Sequence, residues 1–128
     1  MRKKVIAGNW KMHGTRASVA ELTKGLSNLA LPGGVEVAVF PPALFINEVI
    51  DGLKGKGIIV GAQNSAVQPE QGALTGEVAP SQLAEAGCKL VLIGHSERRQ
   101  IIGESEEVLN RKFAAAQASG LTPVLCIG

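Results

Sequence analysis

Short apolar runs alternate with longer amphipathic stretches along this chain, and the alternation predicts its elements. Val5-Ile6-Ala7-Gly8 is apolar, breaks into polar residues at Asn9, and reads as a first strand. Ser18 and Glu21 have the spacing of a capping box, and Leu22, Leu26 and Leu29 follow at helical intervals until Pro32-Gly33-Gly34 stops the helix. Residues 35–40, Val-Glu-Val-Ala-Val-Phe, form a second strand ended by Pro41-Pro42. Leu44, Ile46, Val49, Ile50 and Leu53 predict a second helix, and residues 58–62 a third strand. From about Ser65 to Ala79 no periodicity is visible. A brief helix over residues 80–86 closes at Gly87, and Leu90-Val91-Leu92-Ile93 is the fourth strand. Ser105, Glu106 and Glu107 place a cap and two acids where a helix N-terminus favours them. That helix carries Val108, Leu109, Phe113 and Ala116 and runs to Gly120, ahead of a fifth strand over residues 122–127.

Strand and helix therefore alternate without a linker or low-complexity tract, and residues 1–128 read as a single domain. Such alternation calls for right-handed βαβ units and a parallel sheet. Doubly wound sheets and (β/α)8 barrels both satisfy it, and periodicity does not choose between them.

Composition narrows the class. The chain is 45% hydrophobic, with 3% aromatic residues and no Tyr, so Val, Ile, Leu and Ala must build the core. That palette suits a parallel sheet covered by helices. A net charge of +2 from scattered residues gives no reason to expect nucleic-acid or membrane binding. Arg2, Lys3 and Lys4 resemble the basic head of a signal peptide, but Gly8, Asn9, Trp10 and Lys11 interrupt the apolar region at once, and a cytoplasmic protein is expected. Cys88 and Cys126 lack metal-ligand spacing and are expected to be reduced thiols.

Polar residues of chemical interest recur where strands end: Asn9 and Lys11, then Gln63 and Asn64, then His95, Ser96 and Glu97. In parallel α/β proteins that end is the functional face. Alone, Lys11 reads as a solvated surface lysine and Asn9 as a turn former. Within Gly8-Asn9-Trp10-Lys11-Met12, however, Lys11 puts a cation at the mouth, able to hold a phosphate and stabilise a developing oxyanion. His95 can equally be a structural hydrogen-bonding residue or a catalyst. If residues 96–99 open a helical turn, its dipole disfavours the imidazolium, and a neutral ring can donate an N–H to a carbonyl. Glu97 reads as a solvated acid, as an ion-pair partner of Arg98 or Lys11, or as a group orienting the site. Gly55-Lys56-Gly57 precedes a strand and is no dinucleotide fingerprint.

At Gly8-Asn9-Trp10-Lys11-Met12 and at Ile93-Gly94-His95-Ser96-Glu97-Arg98-Arg99 the sequence resembles the triosephosphate isomerase family. Residues 61–64, 72–77 and 123–128 are similar to it in identity and order, so the likeness covers the whole chain. This resemblance selects a (β/α)8 TIM barrel, of which the chain would be about the first half, β1 to β5. It implies interconversion of dihydroxyacetone phosphate and D-glyceraldehyde 3-phosphate, in glycolysis and gluconeogenesis, with no metal or organic cofactor.

Carried over by motif, Asn9 and Lys11 would bind the triose phosphate, and His95 would be the electrophile moving protons between the two oxygens. Lys11 and Glu97 would belong to the catalytic group, Glu97 supporting Lys11. A neutral histidine at a helix N-terminus is an established feature of that family, so it enters with the resemblance. Cys126 would be mainly structural. The loop from Ser65 to Ala79 would be the dimer loop, with Thr75 and Glu77 at a homodimer interface. Ile102 departs from an aromatic residue in many relatives, an expected local packing change. The larger departure is the glutamate base, the lid loop and most phosphate-binding amides, which lie in the second half of that barrel. The chain by itself is therefore expected to be inactive, with unpaired edges at its first and fifth strands. Two other readings stay open: a non-catalytic, self-associating half-barrel, and a different sugar-phosphate enzyme using Lys11 covalently.

Overall fold

In a computed structural model, which describes residues 2–128, five parallel strands and four helices alternate along the chain. The order is β1 (Lys4–Asn9), α1 (Arg16–Ser27), β2 (Val35–Phe40), α2 (Ile46–Gly52), β3 (Ile58–Ala62), α3 (Pro80–Ala86), β4 (Leu90–Ile93), α4 (Glu106–Ala118) and β5 (Thr122–Leu125). A short 3-10 turn, Ala43–Phe45, leads into α2, and a wide helical turn, Arg98–Ile102, follows β4.

The strands hydrogen-bond in the order β1-β2-β3-β4-β5, each parallel to the next. A doubly wound sheet reverses its strand order at a switch point, whereas a barrel adds each strand on the same side of the last. Sequential order through five strands is the barrel pattern. The register is staggered as closure requires: β3 pairs with β2 through Ile58, Ile59 and Val60, and with β4 through Gly61 and Ala62.

Strand periodicity then divides the side chains between two layers. Ala38 and Phe40 of β2 and Leu92 of β4 form one cluster, with Ile59, Leu90 and Cys126 packed against it. The alternate positions, Val39, Val60, Ala62, Val91 and Ile93, pack instead with helix residues such as Val19, Val49, Leu83 and Leu109. The first cluster is the barrel interior and the second set is the sheet–helix layer. Gly61 shows how tight the interior is, since a Cβ there would lie 2.5 Å from the Phe40 ring and 2.8 Å from the Leu90 carbonyl oxygen.

Two local expectations are corrected. The α1 cap is Thr15, not Ser18: its hydroxyl accepts the Ser18 N–H (3.1 Å) while the Ser18 hydroxyl accepts the Thr15 N–H (2.8 Å). Starting the helix one turn earlier lets Val19 join the inward face. That face consists of Val19, Thr23 and Leu26, whereas Leu22 and Leu29 are 47% and 57% exposed. Among the described residues no helix is long and apolar enough to cross a membrane.

Candidate active site

The carboxyl ends of β1, β3 and β4 bring Asn9, Lys11, Gln63, Asn64, His95 and Glu97 around one cavity of about 490 Å³. Of the residues expected at the strand mouths, Ser96 is the one that does not line it. Thr75 and Glu77 stand apart, exposed on the loop between β3 and α3. That loop is pinned at its base, where the Ala66 N–H donates to the Val78 carbonyl at 2.9 Å.

Lys11 has φ +54°, the sole left-handed non-glycine residue among those described. A side chain in that region costs ~1–2 kcal/mol, so neighbouring groups must hold it. The Lys11 N–H donates to Asn9 Oδ1 at 2.9 Å, and the Lys11 carbonyl accepts from Gln63 Nε2 at 2.8 Å. The same Gln63 nitrogen donates to the Phe40 carbonyl at 2.9 Å. Lys11 Nζ then reaches Glu97 Oε1 at 2.7 Å, choosing between the two partners open to Glu97. The hydrogen bond from Lys11 holds the Glu97 carboxyl below its ordinary range; desolvation opposes it, and the charge of Lys11 adds to the lowering, as do His95 and His13 when protonated. The Lys11 amine is thus ion-paired and half-exposed, the setting of a binding cation rather than of a desolvated nucleophile.

His95 begins the helical turn that follows Gly94, its carbonyl accepting the N–H groups of Arg98 (2.8 Å) and Arg99 (3.1 Å). Its Nδ1 accepts the Glu97 N–H at 3.1 Å. A ring nitrogen that accepts cannot also carry a proton, so the neutral ring has its hydrogen on Nε2. Nε2–H is then available to a ligand oxygen. Arg99 fixes the turn: Nε donates to the Gly94 carbonyl (2.6 Å), Nη2 to the Cys126 carbonyl (2.9 Å), and Nη1 to Glu106 (2.7 Å).

Arg98 pairs with Glu104 at 2.9 Å, not with Glu97. Glu104 also takes a hydrogen bond from Lys112, whose Nζ donates to Asn64 at 2.9 Å. Sequence reasoning missed this buried network. A signal existed, because Lys112 falls on the same stripe of α4 as buried Leu109 and Ala116, where a charged residue needs partners.

Ile102 is 62% exposed and, with Ile101, lines the cavity, so it stands at the mouth rather than in the interior packing. Both cysteines are free; burial pushes the Cys88 thiol up to about 11, and desolvation raises Cys126 against the opposing charge of Arg99. Among the described residues no group of His, Cys, Asp and Glu side chains is arranged to hold a metal ion.

Parallel strands in sequential order, with a cation, an imidazole and an amide gathered at their carboxyl ends, define the first half of a (β/α)8 barrel and a candidate site at its mouth. The sequence profile of the family described as triosephosphate isomerase matches residues 4–128. Triosephosphate isomerase of Pseudomonas putida (strain W619) is 88% identical over 128 residues, all of this chain and 51% of that protein. The proteins of the same name from Pseudomonas fluorescens (strain Pf0-1) and Pseudomonas syringae pv. tomato are 76% and 73% identical over the same span, again 51% of each. The chain belongs to the triosephosphate isomerase family, and it spans about half the length of the curated relatives it matches.

Proposed function

We propose that these residues supply the binding and polarising half of a triosephosphate isomerase site, acting on dihydroxyacetone phosphate and D-glyceraldehyde 3-phosphate. The observation that carries this reading is the placement, on one cavity, of the Lys11–Glu97 pair and of the His95 ring whose Nδ1 accepts the Glu97 N–H. Lys11 binds the anionic substrate and offsets charge that develops on its oxygens. Asn9 has its Oδ1 engaged by the Lys11 N–H, which leaves its amide N–H groups for a substrate oxygen. His95 donates Nε2–H to the carbonyl oxygen as the neighbouring carbon loses its proton, and recovers a proton from the other oxygen of the enediolate. Preorganised donors of this kind act where charge develops in the transition state.

Among the described residues Glu97 is the one carboxylate lining this cavity, and it is committed to Lys11. The carbon-bound proton must therefore be taken by a base from outside these residues, so residues 1–128 alone give no appreciable isomerisation. A homodimer is proposed for the assembled enzyme, with the exposed loop carrying Thr75 and Glu77 reaching a second copy.

Joining residues 1–128 to the carboxyl-terminal remainder of the Pseudomonas putida relative tests the reading. The chimera should interconvert the two triose phosphates. Its His95→Gln variant should lose about 10²–10³-fold in kcat with a smaller change in KM. A folded chimera without activity, or full activity in that variant, would refute it.

A further inference from the structure

We infer that Gln63 is a positioning residue for Lys11, an inference that rests on the proposed isomerase reading for its kinetic consequence but not for its geometry. Lys11 is held left-handed at φ +54° by groups on either side of its own peptide units. On the amino side Asn9 Oδ1 takes its N–H, an exposed local contact between residues two apart. On the carboxyl side the Lys11 carbonyl is bonded by Gln63 Nε2 at 2.8 Å, across fifty-two positions of chain.

Gln63 follows β3 directly, and both hydrogens of its amide nitrogen are spent. One goes to Lys11 beyond β1, the other to the Phe40 carbonyl at the end of β2 at 2.9 Å. The Phe40 carbonyl also takes the Trp10 N–H at 3.1 Å, so the residue before Lys11 is tied to the same post. Two carbonyl acceptors fix which way the amide faces, since its oxygen cannot replace the nitrogen at either contact. Gln63 thereby spans the ends of three consecutive strands and delivers a donor to the one strained residue of the mouth. Without that donor, the Lys11 backbone relaxes toward negative φ, and the Cα–Cβ bond that aims its ammonium at Glu97 turns away.

A simple bolt between strands would serve stability alone. A positioning residue predicts a different signature. Gln63→Met keeps the length and apolar volume but removes both donors. In the chimera this variant should raise KM for triose phosphate, and the inhibition constant of inorganic phosphate, by about tenfold, the size of one lost polar contact. kcat should fall less. The variant's crystal structure should show Lys11 out of the left-handed region.

Gln63→Glu is a second probe should the Met variant fold poorly. Its carboxylate repels both carbonyls, whereas its protonated form restores one donor, so its KM defect should shrink as pH falls. Lys11 remaining at positive φ in either variant overturns the inference whatever the activity. So does a loss of thermal stability with KM and phosphate inhibition unchanged. An inactive parent chimera counts against the isomerase reading alone, and the Lys11 backbone still decides the role of Gln63.

Discussion

Lys112 and Glu104 have side chains only 5% and 6% exposed, and neither can be left alone there. Glu104 accepts from Lys112 and Arg98 through Oε2, while its Oε1 is buried without a partner. Removing one member of a buried pair costs about 3–5 kcal/mol, because the other charge stays desolvated. Glu104→Ala in the chimera should therefore lower the unfolding free energy by about that amount, read from urea midpoints. The acid dependence follows from the same contacts. Burial by itself raises the Glu104 carboxyl, but the hydrogen bonds from Lys112 and Arg98 outweigh it, and the group titrates below its ordinary range. A folded value below the unfolded one, about 4.3, gives a contribution that is complete above the unfolded value. It is lost as pH falls through the folded value. Glu104→Gln should thus flatten the stability loss between about pH 5 and pH 3; an unchanged slope would assign that loss to other carboxylates.

At the scale of elements, most of what the hydrophobic pattern foretold is present, and the exceptions have physical causes. Residues 35–40, 58–62 and 90–93 are strands as read, because short apolar runs between turn residues leave little choice of boundary. Gly87 closes α3 at φ +114°, and Ser105 caps α4 by accepting the Val108 N–H. The α1 start was misread because Thr15-x-x-Ser18 and Ser18-x-x-Glu21 share one spacing, and only burial of Val19 separates them. In the candidate site, Asn9, Lys11, His95 and Glu97 could be picked out because they lie at or just beyond the carboxyl ends of β1 and β4. The left-handed Lys11, its Gln63 tether and the Lys112 network could not, since each depends on partners far away in sequence. Thr15→Ala should destabilise the chimera by about 1 kcal/mol, whereas Glu21→Ala should change it by less than about 0.5 kcal/mol. Equal effects would return the cap to Ser18.

At the scale of the molecule, the sheet has two ends, and both expose apolar side chains. Among the described residues β1 pairs only with β2, and its Val5 and Ile6 are 49% and 60% exposed. β5 likewise pairs, among the described residues, only with β4, and there Val124 and Leu125 are 36% and 49% exposed. An edge strand offers unpaired N–H and C=O groups in register, and apolar side chains on it make pairing with another chain favourable. The centre is already well packed, with Val49, Val91 and Ile93 fully buried, and the two edges combine exposed apolar side chains with unpaired backbone groups. Residues 1–128 prepared alone should accordingly form concentration-dependent oligomers in sedimentation velocity. Lysine at Ile6 and Leu125 together should shift them toward monomer, because a charge on an edge opposes strand addition without touching the buried clusters. In the chimera those edges meet the remaining strands of the barrel, and the same pair of lysines should instead destabilise the fold. Oligomers of the isolated segment that persist unchanged in the double variant would place the contact elsewhere, with the exposed loop carrying Thr75 and Glu77 the first surface to mutate.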